Sequence, residues 1–150
     1  MVAELVRVVR PGGLIHFLCE DYGSVIAHPC ALDVQAFWRD GPCTMFKLQD
    51  SNPHMGRCIF TEATRACKAA GVGSSTVITV KQLSVDTCSV ERELLAQMFR
   101  TWKDYSSMIA EHSKFTLKEV EAHWEDIIAC CKNDEGYVSW QCTVCSVMLS

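Results

Sequence analysis

Long apolar runs are missing from this chain of 150 residues. None approaches the ~20 consecutive apolar residues that a bilayer-spanning helix needs. Basic runs are missing too. The 14 Lys and Arg residues are scattered singly and are outnumbered by 18 Asp and Glu, for a formal net charge of −4. That balance argues against a nucleic-acid partner. The first residues are too short and too charged for a signal peptide, because Glu4, Arg7 and Arg10 interrupt the apolar positions. Internal repeats, linkers and low-complexity segments are absent as well. What is left is one domain's worth of chain, with 49% hydrophobic residues to build a single core. We expect a cytoplasmic protein with neither a nucleic-acid nor a membrane partner.

Cysteine is abundant, at ten residues. Cys19, Cys58, Cys67, Cys130 and Cys142 fall among apolar neighbours in predicted helices and strands, where a reduced Cys behaves as a small hydrophobe. A secreted disulfide scaffold would instead place its cysteines in Gly- and Pro-rich loops. A reducing compartment follows as the expectation. The pair Cys142 and Cys145 has C-x-x-C spacing, but residues three apart on a strand point to opposite faces. With no second pair at finger spacing, no metal site is expected.

The beginning of the chain carries the strongest local signal. Leu5, Val8 and Val9 recur at helical spacing, Pro11 stops the helix, and Gly12-Gly13 allow a sharp reversal into an apolar strand. That strand, 13–20, is an almost unbroken apolar run around His16. The pattern predicts burial on both faces, with His16 as a core residue. It ends in Glu20-Asp21-Tyr22-Gly23, read as a polar break at the carboxyl end, where ligands collect in open α/β sheets.

Further along, 32–39 predicts a short helix closed by Asp40-Gly41-Pro42. A longer helix over 52–70 is predicted to be capped by Asn52 or Ser51, with Pro53 in its first turn, and to end at Gly71 and Gly73. The β-branched alternation of 75–86 predicts a strand with one wetter face. Two long helices follow, over 90–112 and from Thr116 to about 132, the second opening with a capping-box pattern ending at Glu119. The turn Asn133–Gly136 leads into a last strand, 137–148.

Arg7-Val8-Val9-Arg10-Pro11-Gly12-Gly13, feeding an apolar strand, closely resembles the segment before the fifth strand of class I S-adenosylmethionine-dependent methyltransferases. Met55-Gly56-Arg57-Cys58, leading into the helix that ends at Gly71-Val72, is similar to that family's helix before its sixth strand. The resemblance spans almost all of this chain but only about half of a family member. It implies an α/β fold: a partial Rossmann-like methyltransferase sheet of the last three strands, mixed parallel and antiparallel, packed with helices. Family order places the seventh strand, antiparallel, between the fifth and sixth. The helical pair at about 90–132 would be an elaboration covering the substrate side.

The implied cofactor is S-adenosylmethionine, yet no cofactor-binding residue carries over. Family members hold it with a Gly-rich loop after the first strand, and Gly71-Val72-Gly73 precedes a strand instead of following one. This chain is not expected to bind the cofactor alone, and the first half of the fold is expected to lie outside it. The acceptor would be a small molecule of unknown identity. An unpaired edge would remain where the fourth strand belongs, open to self-association or to use as a non-catalytic interaction module.

Candidate substrate-binding residues are Glu20, Asp21, Tyr22, His28, Trp38 and His54. Glu20 and Asp21 are adjacent carboxylates that would orient a substrate or act as a base, or else form a solvated turn. Tyr22 would line the pocket or pack over the loop. His28 would accept a proton in a methylation or stand uninvolved. Trp38, with Phe37, would stack on the substrate or anchor its helix. His54 and Arg57 would face the cleft or begin a solvated helix. Trp102, Tyr105, His123 and Trp124 read as an apolar seam between the late helices.

Overall fold

The computed structural model describes residues 1–149. Its elements in chain order are α1 (Val2–Val8), β1 (Leu14–His28), α2 (Val34–Asp40), α3 (Pro42–Leu48), α4 (Met55–Ala69), β2 (Val77–Asp86), α5 (Arg92–Lys103), α6 (Ser106–Glu111), α7 (Leu117–Lys132) and β3 (Tyr137–Met148). The three strands form one open sheet in the order β1-β3-β2, and both neighbouring pairs are antiparallel. The expected mixture of parallel and antiparallel pairing is therefore corrected. With the last strand inserted between the other two, each strand has only oppositely directed neighbours.

The chain divides into two compact units that share these strands. Of the described residues, the first comprises 1–21, 54–83 and 142–149, and the second 22–53 and 84–141.

In the first unit α1 stops at Val9, which turns extended (φ −76°, ψ 133°) ahead of Pro11. Gly12 adopts φ +77°, and a Cβ on Gly13 would collide with the Val9 side chain and the Arg10 carbonyl. Both glycines are thus required by the reversal. Helices α1 and α4 pack together, and one sheet face lies against them. Val6, Ile15, Phe17, Ile59, Ala63, Cys67, Cys145 and Val147 make this core.

From Leu14 to Leu18 the opposite face of β1 is bare. Leu14 and Leu18 are 54% and 71% exposed, so burial alternates along the strand and does not extend to both faces. His16 corrects its reading as a core residue. Its parity places it on the bare face, where Nδ1 meets Ser146 Oγ at 2.7 Å.

In the second unit, helices α2, α3, α5, α6 and α7 enclose an aromatic core of Phe37, Trp38, Phe99 and Trp124. Phe37 stacks on His123 with centroids 4.4 Å apart, and His123 Nδ1 meets the Glu119 carbonyl at 2.7 Å. Helix α7 opens with the capping box in place: Thr116 Oγ1 accepts from the Glu119 amide, and the Glu119 carboxylate accepts from the Thr116 amide. At its other end, the Arg92 guanidinium donates to the carbonyls of Cys131, Asn133, Asp134 and Gly136. A cation there complements the negative end of the helix.

Three elements depart from the sequence pattern. Pro42 does not close a helix but opens α3 from its first turn, where its missing N–H costs nothing. The helix expected over 90–112 breaks at Asp104-Tyr105 into α5 and α6. Helix α4 starts after Pro53, with His54 as N-cap and no side-chain capping bond, so neither Ser51 nor Asn52 caps it.

Candidate functional site

The tetrapeptide Glu20-Asp21-Tyr22-Gly23 lies in the middle of β1, not at its carboxyl end. The strand continues because its polar groups find partners within the fold instead of water. The Tyr22 amide donates to the Pro53 carbonyl at 3.0 Å, and Ser24 Oγ accepts from the Gln141 amide at 2.7 Å. Alternation then sends Asp21 and Tyr22 to opposite sides of the strand.

In the first unit Asp21 is buried and held at the start of α4. Arg57 Nε and Nη2 both reach Oδ2, at 2.7 and 2.6 Å, while His54 Nδ1 stands 3.2 Å from Oδ1. A carboxylate only accepts, so these nitrogens carry the protons. Gly56 makes the approach possible, since a Cβ there would lie 3.0 Å from both the Asp21 amide nitrogen and the Cys19 carbonyl oxygen. Thus Asp21, His54 and Arg57 form a charge-compensated clamp fastening α4 to β1. Both carboxylate oxygens are thus directed at donors of α4 and its N-cap. Nearby, burial pushes the Cys19 thiol pKa up, with Cys145 adding to the shift.

In the second unit Tyr22 is the middle ring of a stack. Phe46 lies at 4.7 Å and 16° on one side, and Trp38 at 5.8 Å and 7°. Trp102 meets the Tyr22 ring edge-on at 5.4 Å. Tyr22, Phe46, Trp102 and Tyr105, with Met45, line an open cleft of ≈450 Å³ whose polar groups are Gln49, Thr101 and Asp104. Its volume falls within the range of small-molecule sites, and so does its make-up of aromatic walls with few polar groups.

The structure therefore sorts the candidates. Asp21 and His54 are brought together by Arg57, and Tyr22 and Trp38 by stacking. Trp38 is buried behind Tyr22 and does not line the cleft, so it anchors α2. Glu20 is half-buried within β1, and His28 is exposed at that strand's end. Trp102 and Tyr105, read as seam residues, are cleft-lining. Met45, Phe46 and Gln49 were missed because α3 and the residue just after it were missed. The available signal was Pro42 itself, read as a helix start.

Two further thiols stand out in the second unit. Cys131, on α7, is pushed up to about 12 by burial and by Cys130. Cys30 is likewise pushed up to about 12, by burial first and then by Cys130 and Asp126. Among the described residues no helix is long and apolar enough to cross a membrane. No family model matches this chain, and no curated protein matches it.

Proposed function

We propose that this chain is the substrate-side half of an S-adenosylmethionine-dependent methyltransferase fold, with the aromatic cleft as the seat of a small-molecule methyl acceptor. The observation that carries the reading is the sheet order. A strand entered through Arg10-Pro11-Gly12-Gly13 lies at one edge, and the last strand sits antiparallel between it and the middle one. That is the order implied for the last three strands of the partial Rossmann-like methyltransferase sheet.

The residues of this chain do not fit the cofactor. Gly71 takes φ +74° at the end of α4, so Gly71-Val72-Gly73 terminates a helix. It does not offer amides at a helix start, as a nucleotide-binding loop does. What the chain would supply is orientation: Tyr22, Phe46, Trp102 and Tyr105 hold a planar apolar acceptor, and Gln49 and Asp104 receive its polar groups.

The test is a thermal-shift panel of planar phenols and aromatic amines, run beside calorimetric titration with S-adenosylhomocysteine. The reading expects stabilisation by members of the panel in the native chain, its loss in Tyr105→Ala, and no heat from S-adenosylhomocysteine. Saturable S-adenosylhomocysteine binding would mean that the chain completes a cofactor site by itself and is not merely a substrate half. A folded protein that binds neither would sink the acceptor role.

A second reading, a non-catalytic interaction module, is favoured by the bare face of β1. Leu14 and Leu18 are large apolar side chains in water, and such surfaces on an edge strand commonly meet another chain.

A further inference from the structure

We infer that the aromatic cleft of the second unit takes a cation: its ligand is an aromatic ring bearing an alkylammonium head, with the head seated at Asp104. The inference rests on the cleft's role as a small-molecule site in the proposed function, and names the class of molecule that fills it.

Charge gives the first reason. Among the described residues that line the cleft, Asp104 alone carries a formal charge, and no Lys, Arg or His is among them. Its side chain is exposed at the C-terminal cap of α5. The two cations of that helix's last turn are engaged elsewhere: Arg100 pairs with Glu93, and Lys103 with Glu125. Lys47, in the last turn of α3, is exposed and does not line the cleft. A cationic ligand group therefore meets an opposite charge there, and an anionic one a like charge.

Hydrogen-bonding capacity agrees. Thr101 Oγ1 donates its proton to the Met98 carbonyl at 2.6 Å, so toward the cleft it only accepts. The Asp104 carboxylate also only accepts. An ammonium has donors and no acceptor, and matches both.

The walls supply a third reason. Trp102 lies 5.7 Å from Phe46 and 5.9 Å from Tyr105, with the ring planes inclined at 65° and 56°. Two parallel walls would clamp a flat ring alone. Inclined rings suit a compact cation, which is attracted to a π face within about 6 Å of its centroid. Asp104 stands between Trp102 and Tyr105 in the chain, so one turn of backbone delivers the carboxylate and two rings together. The remaining apolar wall, Phe46 and Met45, and a volume of ≈450 Å³ leave room for the ligand's ring beside its head.

Calorimetric titration with three molecules of one shape tests the inference: tyramine as the cation, 4-ethylphenol as the neutral form and 3-(4-hydroxyphenyl)propanoate as the anion. Tyramine is expected to bind about tenfold tighter than 4-ethylphenol, and the propanoate not to saturate. Added salt should weaken tyramine far more than 4-ethylphenol. Asp104→Asn should reduce the advantage of tyramine to about threefold, and Asp104→Lys should reverse the order so that the propanoate binds tightest. Both variants are expected to keep the native circular dichroism. Equal affinity for tyramine and 4-ethylphenol, or a preference for tyramine that survives Asp104→Lys, overturns the cation and leaves the cleft as a small-molecule site. If none of the three binds, the inference falls, and the wider panel of phenols and aromatic amines decides separately whether the cleft holds any acceptor.

Discussion

Asp21 and Arg57 are joined through a single oxygen: the guanidinium Nε and Nη2 both lie on Oδ2, at 2.7 and 2.6 Å, which leaves Oδ1 to His54. The carboxylate is buried and the guanidinium is half in water, with its side chain 54% exposed. Removing the cation therefore strands a desolvated anion, while removing the anion merely frees an arginine. We expect Arg57→Leu to cost about 1–3 kcal/mol, lessened by the remaining His54 contact. Asp21→Asn should cost less. Urea denaturation of the two variants checks the order.

Trp102 touches Tyr22, Phe46, Tyr105 and Trp124. Trp102→Ala is expected to destabilise the fold by about 3 kcal/mol, since a large ring in multiple contacts is lost. Tyr105, 47% exposed, should tolerate Ala with little loss while emptying one wall of the cleft. Thermal melting separates the two.

Gly136 has no room for a side chain, because a Cβ would run into the Cys130 carbonyl. Its own carbonyl also receives Arg92 and the Thr87 hydroxyl. Gly136→Ala should cost about 1–3 kcal/mol through backbone displacement. By contrast Thr116→Ala, which removes only the helix cap, should cost about 1 kcal/mol. Denaturant midpoints give the comparison.

Alkaline pH offers a fourth check. Cys30 and Cys131 are pushed up to about 12 from 9.0, so between those values the unfolded thiols ionise and the folded ones do not. The unfolded chain then binds fewer protons, and stability falls as pH rises above about 9. Midpoints measured from neutral to alkaline pH should decline less steeply in a Cys30→Ala, Cys131→Ala double variant than in the native chain. Equal slopes would mean that other groups carry the effect.

Where the chain's own neighbours decide the conformation, the sequence was readable. Pro11-Gly12-Gly13 and the Thr116–Glu119 box act over a few residues, and both occur as expected. Readings failed where a distant residue decides. Glu20-Asp21-Tyr22-Gly23 looks like a turn until Arg57, Pro53 and Gln141 take up the polar groups of this stretch and of Ser24. The run 13–20 looks doubly buried because periodicity reports hydrophobicity, not which face a helix covers. His16, Leu14 and Leu18 are the price of that confusion. The cleft was half-legible: Tyr22 stood out, but Phe46 rides on a helix that Pro42 seemed to forbid, and Trp102 and Tyr105 look like any other helical stripe.

The contact between His123 and the Glu119 carbonyl settles where a hydrogen sits. A carbonyl oxygen has no proton to give, so Nδ1 must carry one. In the neutral ring this leaves the lone pair on Nε2, so the imidazole against Phe37 is held as a single tautomer, not as an interconverting pair. Its ring nitrogens should accordingly give two well-separated 15N resonances instead of an averaged one.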